Sequence, residues 1–475
     1  GNRSLFSNTT GDCNVALGSA ALESATTAVC NTAIGTYTLI SDTTGQLNTA
    51  LGALAGYAVT TGGNNVAIGA RAMCATTTGE RNVIIGTDAF RLNTTGSCNT
   101  AVGQLTLYAN TSGKQNTAIG SEAIKCNTSG IRNVAVGVQS LFYNTTGSAN
   151  TASGGYALHS NTTGGSSSAF GYTALYCSTG APNTAIGRSA LRNTTTGSMN
   201  TASGYCALAS NTTADGNTAM GHAAMCANTT GYGNAAFGKN ALLVNTTGAG
   251  NNAFGESSLD ANTTGHNNAA FGYVTLTSNT TGIYNAAFHQ GLVNNTTGDC
   301  NSAFGFQSLY NNTTGSCNTA MGVRALCSNT TGAYNVAVGL GALHSNTSGR
   351  WNTAIGNLSL YANTTGNYNA AHGLYALRYN TTGSNNTASG MNSLYNTTTG
   401  SNNTSSGYYA LKSNTTANNN TAMGRCALSS NTQDSNTAVG MNAGRANTTG
   451  SVVAVGRDAL LSNTTGLSNT AVGKM

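Results

Sequence analysis

The sequence predicts an all-β protein, a parallel β-solenoid (β-roll) with one coil per seventeen residues. Three observations lead there. The string Val15-Ala16-Leu17-Gly18 returns as Thr32-Ala33-Ile34-Gly35, Thr49-Ala50-Leu51-Gly52 and Val66-Ala67-Ile68-Gly69, and so on to the last residues. Each repeat holds two glycines, one beside Asn-Thr-Thr, a composition that breaks helices. All 18 Lys and Arg residues, and all but one of the 12 acidic residues, fall in five of the seventeen columns.

Written as one coil, the consensus is Asn-Thr-Ala-(apolar)-Gly-x-x-Ala-Leu-x-x-Asn-Thr-Thr-Gly-x-x. The first glycine recurs 29 times from Gly1 to Gly473, with His289 as a substitution. Four of the 28 intervals, ending at Gly187, Gly305, Gly440 and Gly456, are sixteen long. A chain of 475 residues ordinarily suggests about three domains. An unbroken period predicts instead one continuous solenoid over residues 1–475, of about 28 coils without separate caps. At about 4.8 Å per coil it would span roughly 130 Å. Both ends fall inside the repeat, which suggests a fragment or subunit of a longer fibre.

Each element of the coil has a reason. Asn-Thr-Ala-apolar-Gly alternates as a strand does, and the pattern reads as strand, turn, strand, turn. Asn-Thr-Thr-Gly reads as a turn in which glycine supplies positive φ and the Asn oxygen caps locally. Asp42 takes that Asn column in Ser41-Asp42-Thr43-Thr44-Gly45 and suits the same capping role. Leu22, Leu107, Leu141, Leu175, Leu326 and Leu411 share a column relieved by Met73, Met225, Phe90 or Ile124, which predicts a buried ladder. The Ala before the apolar residue predicts a tight interior. The two Asn columns predict amide ladders along the axis, which satisfy polar groups without charge. The variable apolar column holds Leu17, Ile34, Met220, Phe237, Phe254, Ser153, Ser389 and His372. Such tolerance of size suggests a groove or a subunit contact rather than a narrow interior.

Composition narrows the function classes. Only 6% of residues are charged, against roughly 25% in a typical domain. The net charge is +6, carried by scattered single residues, so no basic stripe for nucleic acid is expected. No apolar run approaches the length of a membrane span, and no membrane insertion is expected. Neither a catalytic constellation nor a cofactor or metal site is expected, and no enzymatic activity. The twelve cysteines contain no C-x-x-C. Cys13 and Cys30 share one column in consecutive coils, as do Cys300 and Cys317, so stacking predicts candidate intercoil disulfides, with unpaired thiols as the alternative. His159, His222, His266 and His344 occupy variable columns and are expected in solvent; His289, which replaces glycine, predicts a bulge. Asn-Thr-Thr and Asn-Thr-Ser have the form of N-glycosylation acceptors. Asn8, Asn93, Asn144, Asn245 and Asn363 are candidate sites, with turn formation as the alternative reading of the same motif. An ice-binding rank of threonines is broken by Ala235, Asn252, Ala269, Ala286 and Ser302 in successive coils.

Val66-Ala67-Ile68-Gly69, Val134-Ala135-Val136-Gly137 and Val336-Ala337-Val338-Gly339 resemble the repeat signature of trimeric autotransporter adhesin heads. The fuller string from Asn318-Thr319-Ala320-Met321-Gly322 to Ser328-Asn329-Thr330-Thr331-Gly332 resembles repeats of phage and bacterial tail-fibre-like proteins. The resemblance covers nearly the whole chain, although the adhesin-head coil is a few residues shorter. It implies a left-handed roll, a homotrimer, and a place on a cell or virion surface. The expected function is a structural, extracellular fibre. The alternatives are an adhesin that recognises a cell-surface glycan or receptor, and a self-assembling filament.

Overall fold

The computed structural model describes residues 1–180 and 182–474. The chain divides into two compact units, Gly1–Ala236 and Phe237–Met475. Among the described residues there is no helix, and 28 strands of three or four residues recur once per repeat, from Val15–Leu17 to Asn469–Val472. The protein is therefore an all-β parallel solenoid. In the first unit the strands from Val15–Leu17 to Thr218–Met220 pair in chain order; in the second, those from Asn252–Phe254 to Asn469–Val472 do so.

Equivalent residues of successive coils stand side by side. Val15, Ala16 and Leu17 pair with Thr32, Ala33 and Ile34 in the first unit. Ala269, Ala270 and Phe271 pair with Ala286, Ala287 and Phe288 in the second. A sixteen-residue coil does not disturb this, since Ser168 still pairs with Thr184 and Phe170 with Ile186. A slip of one residue would turn every buried alanine outward, so the turns absorb the deletion and the strands keep register.

The interior of each coil is small and half polar. The strand Ala, the second Ala and the Leu-column residue are buried, as in Ala118, Ala123 and Ile124. A fully buried residue of that size contributes about 1.5–3 kcal/mol per coil. Both Asn columns are buried too. Along the first, the Asn116 backbone N–H donates to Asn99 Oδ1 at 3.0 Å while Asn116 Nδ2 donates to the Gly130 carbonyl at 2.9 Å. Along the second, Asn127 Nδ2 donates to Asn110 Oδ1 at 2.7 Å and to the Gly130 carbonyl at 3.1 Å. Each such bond contributes about 0.5–1.5 kcal/mol net, and leaving these buried amides unpaired would cost about 1–3 kcal/mol each.

Two expectations about the backbone fail. Each coil carries one strand, not two. The Ala-Leu side is built from residues in the left-handed region, as at Glu122 (φ 58) and Ile124 (φ 48), separated by one alanine. Their amides point opposite ways along the axis: Glu122 N–H donates to Gln104 of the preceding coil and Ile124 N–H to Ser140 of the following one, both at 2.9 Å. That side is thus stitched to both neighbours without being a strand, at about 1–2 kcal/mol of conformational cost per left-handed residue.

Nor does the turn glycine supply positive φ. That task falls to the first glycine, as at Gly120 (φ 128), where a Cβ would also lie 2.7 Å from the Gly137 carbonyl. The turn glycine answers to space, since a Cβ at Gly315 would lie 2.5 Å from Asn312 Oδ1 and 2.8 Å from Asn329 Nδ2, although Ala28, Ala214 and Ala417 fill the same column in three coils. Where His289 takes the place of the first glycine, the backbone retreats to φ 54, within reach of an ordinary residue, and that coil is one residue short.

Candidate functional surfaces

The outward face of the sheet is formed by the two residues that flank the inward residue of each strand, as Thr32 and Ile34 flank Ala33 and Ala269 and Phe271 flank Ala270. Neither outward column holds a Lys, Arg, Asp or Glu anywhere in the sequence. The variable apolar column lies on this face, exposed at Leu17, Leu51, Ile119, Phe170, Ile186 and Met220 in the first unit. In the second unit Phe237, Phe254, Phe271, Phe288 and Phe304 form an unbroken stack, with centroids 4.7–5.0 Å apart and planes within 22°. Beside three of these phenylalanines the other outward column shrinks to Ala269, Ala286 and Ser302, so a ridge runs next to a trough.

The thiols of Cys13, Cys30, Cys300 and Cys317 are free and exposed. Each pair sits at equivalent turn positions one coil apart, held by backbone bonds of 2.9 Å from Cys30 N–H to Asp12 and from Cys317 N–H to Asp299. Partial burial pushes the Cys300 thiol up, as does its neighbour Cys317, with which it shares a hydrogen bond. The stacking inferred from the sequence therefore brings the members of each pair together.

The candidate glycosylation sites fare differently. Asn8 is exposed. Asn93, Asn144, Asn245 and Asn363 are fully buried in the second ladder, where their amide nitrogens are already used. Asn144 Nδ2 donates to Asn127 Oδ1 and to the Gly147 carbonyl, and Asn363 Nδ2 to Asn346 Oδ1 and the Gly366 carbonyl. A row of sugars at these four positions is incompatible with the folded coil, because the acceptor nitrogen points into the interior.

The same ladder explains Asp42. It is fully buried between coils that carry Ala25 and Val59 in its column, so no amide meets it from either side. Its Oδ1 accepts from the Gly45 N–H at 2.7 Å, as the capping role predicts, while its Oδ2 has no partner. Burial raises its carboxyl to about 6, against the smaller opposing pull of the Gly45 and Asn48 hydrogen bonds.

The remaining columns carry the charges and most of the tyrosines. Of the histidines expected in solvent, His222 and His266 are exposed, whereas His159 and His344 are half-buried and stacked between coils. His159 lies 5.3 Å from the Phe142 ring centre and 4.9 Å from that of Tyr176, and His344 lies 5.0 Å from Tyr361. Burial holds both imidazoles below their ordinary range, with Arg324 adding to the effect at His344. Tyr334, Trp351 and Tyr368 form a second exposed stack, with planes within 2°. Asp88 is bound in two places by Arg71, Nε to Oδ1 and Nη2 to Oδ2, each at 2.7 Å.

A group that no repeating column marks lies on three successive coils of the second unit. Arg378 is enclosed by Tyr375, Tyr379 and Tyr395, with its guanidinium carbon 4.7, 5.3 and 5.9 Å from the ring centres. Lys412 lies over Tyr409 at 4.5 Å. These residues come from three different columns, so no single column announces them. Among the described residues no group of three His, Cys, Asp or Glu side chains is placed to hold a metal ion, and no helix is long and apolar enough to cross a membrane. No protein-family model and no curated protein matches the chain.

Proposed function

We propose that the protein is a structural fibre component of a cell or virion surface, whose coils are held by backbone and asparagine ladders and whose outward sheet face is covered by further copies of the same chain. The observation that supports this is the uncharged face. Charge is accepted in five columns of the coil and excluded from both columns of the face on every strand. Exposed apolar residues recur along it, and a contiguous apolar surface larger than a few hundred Å² marks an interaction site. The Phe ridge beside the small-residue trough offers the self-complementary relief that face-to-face sheet packing uses. A role in display or spacing follows from repetition, since identical coils add length without adding a specific site.

Light scattering with chromatography, alongside negative-stain imaging, tests this. The native chain is expected to be oligomeric at micromolar concentration, and Ile85→Glu with Phe271→Glu is expected to release monomers with unchanged β circular dichroism. A native chain that stays monomeric over the whole accessible concentration range would remove the covered face from the proposal.

A further inference from the structure

The geometry points to a binding site for an acidic polysaccharide on the coils that carry Arg378, Lys412 and Arg445. This goes beyond the structural role proposed above and does not depend on self-association.

The three cations occupy one column, the position after the core residue, on alternate coils; Tyr395 and Ser429 fill the same column between them. Backbone bonds fix their spacing: Tyr379 N–H donates to the Tyr395 carbonyl, Asn396 N–H to that of Lys412, Ser413 N–H to that of Ser429 and Ser430 N–H to that of Arg445. Cations two coils apart are separated by roughly 10 Å, a distance comparable to the length of a disaccharide. Two adjoining troughs, of about 350 and 300 Å³, share Tyr409 and Lys412. The first is also lined by Tyr375 and Tyr395, and the second by Ser413, Ser429, Ser430 and Arg445.

The charges are unspent. Residues 300–433 contain no Asp or Glu. The two acids that follow are engaged, Asp434 with the Asn418 N–H and Asp458 with Asn442 and Arg457. Among the described residues neither Arg378, Lys412 nor Arg445 forms an ion pair, whereas Arg71, Lys125 and Lys239 each do. Arg378 donates through Nη1 to the Tyr395 hydroxyl at 3.2 Å and keeps a buried Nε with no partner. A solvated face needs no such row of unpaired cations between aromatic rings.

The chemistry favours a sugar chain. Aromatic rings pack against the C–H faces of sugars, serine and tyrosine hydroxyls meet sugar hydroxyls, and cations at disaccharide spacing meet a carboxylate or sulfate on alternate residues. Single-stranded nucleic acid calls for open ring faces in series. Here Tyr379 and Tyr375 stand edge-on to Tyr395, at 85° and 79°, around a guanidinium. An extended peptide would need free backbone donors, and on this side they are committed to neighbouring coils.

The test uses the full chain with four probes: polygalacturonate, heparin, neutral dextran and polythymidylate. At least one of the two acidic glycans is expected to bind more tightly than dextran and polythymidylate. Lys412→Gln with Arg445→Gln is expected to weaken that binding about ten-fold, and Lys412→Arg to retain it. Lys114→Gln with Arg132→Gln, which removes the same charge from the first unit, is expected to leave it unchanged. Circular dichroism of each variant confirms that the coils persist. Failure of both glycans to bind, equal loss in the two charge-matched double variants, or tighter binding of dextran or polythymidylate would overturn the assignment, whatever the oligomeric state.

Discussion

Asp42→Asn is expected to stabilise the protein, and to do so only above acidic pH. The carboxylate is buried in the second ladder with one oxygen bonded to the Gly45 N–H and the other bonded to nothing. Its folded-state value of about 6 lies above the 3.8 of the free side chain. The fold therefore favours the protonated form. Below about pH 4 the acid is neutral whether the chain is folded or not, and its ionisation costs nothing. Between about pH 4 and pH 6 the unfolded chain ionises first, so the cost to the fold grows; above about pH 6 it is complete. A displacement from 3.8 to about 6 corresponds to about 3 kcal/mol. An asparagine here carries no charge, and its Nδ2 can donate to the Gly45 carbonyl as Asn144 Nδ2 does to that of Gly147 at 3.0 Å.

Because a solenoid opens locally, the measurement belongs at this coil. Hydrogen exchange of the Gly45 amide, which Asp42 Oδ1 covers, reads it directly. In the native chain protection from opening is expected to rise as pH falls from 6.5 to 4.5, after correction for intrinsic exchange. In Asp42→Asn it is expected to be higher at pH 6.5, by up to about 3 kcal/mol of opening free energy, and flat across the window. The ion-paired acids do not confuse this window. Asp88, hydrogen-bonded to Arg71, and Glu122, hydrogen-bonded to Lys125, are held below the usual carboxylate range, so their contribution is lost only at still lower pH. Protection that falls on acidification in the native chain, or an unchanged profile in the variant, would refute the reasoning.

Other outcomes follow from the same geometry. Gly120→Ala forces φ 128 on a residue with a Cβ and drives that atom into the Gly137 carbonyl, so it is expected to cost about 3 kcal/mol or more, read as a loss of protection confined to the neighbouring coils. Expression in a glycosylating host is expected to leave Asn93, Asn144, Asn245 and Asn363 bare and Asn8 open to modification, as peptide mass mapping will show; sugars on the four buried residues of a folded chain would contradict the ladder. Mild oxidation with diamide is expected to link Cys13 to Cys30 and Cys300 to Cys317, with loss of two hydrogens per pair, while Cys98, which has no cysteine in its column on the adjacent coils, stays alkylatable.

Much of the fold is legible in the sequence because stacking gives each column one environment from coil to coil. Leu107, Leu141 and Leu175 repeat in one setting, and so do the outward Leu17, Ile34 and Leu51, which is why burial of one column and exposure of the other could be read from how each varies. What periodicity cannot separate is a polar residue kept for its turn from one kept for its interior. Asn144 and Asn363 look like surface turn residues, yet a buried amide ladder demands the same letter at the same interval. The signal was the rarity of charge in that column, and Asp42, the lone exception, is the residue the fold strains to accept.

The backbone was less legible for a related reason. Positive φ at Glu122 and Ile124 follows from the need to send successive amides up and down the axis, a demand set by neighbouring coils and invisible in any local propensity. Glycine marked two positions alike although one answers to a dihedral and the other to space. The aromatic and basic cluster around Arg378 escaped for want of a shared column: Tyr375, Tyr395 and Tyr379 belong to three, and only the closing of the coil brings them to one guanidinium. Columns therefore reveal what every coil shares, which is the scaffold. Recognition, where this chain has it, must lie in what a few adjacent coils hold and the others lack, and the acid-free coils around Lys412 are such a place.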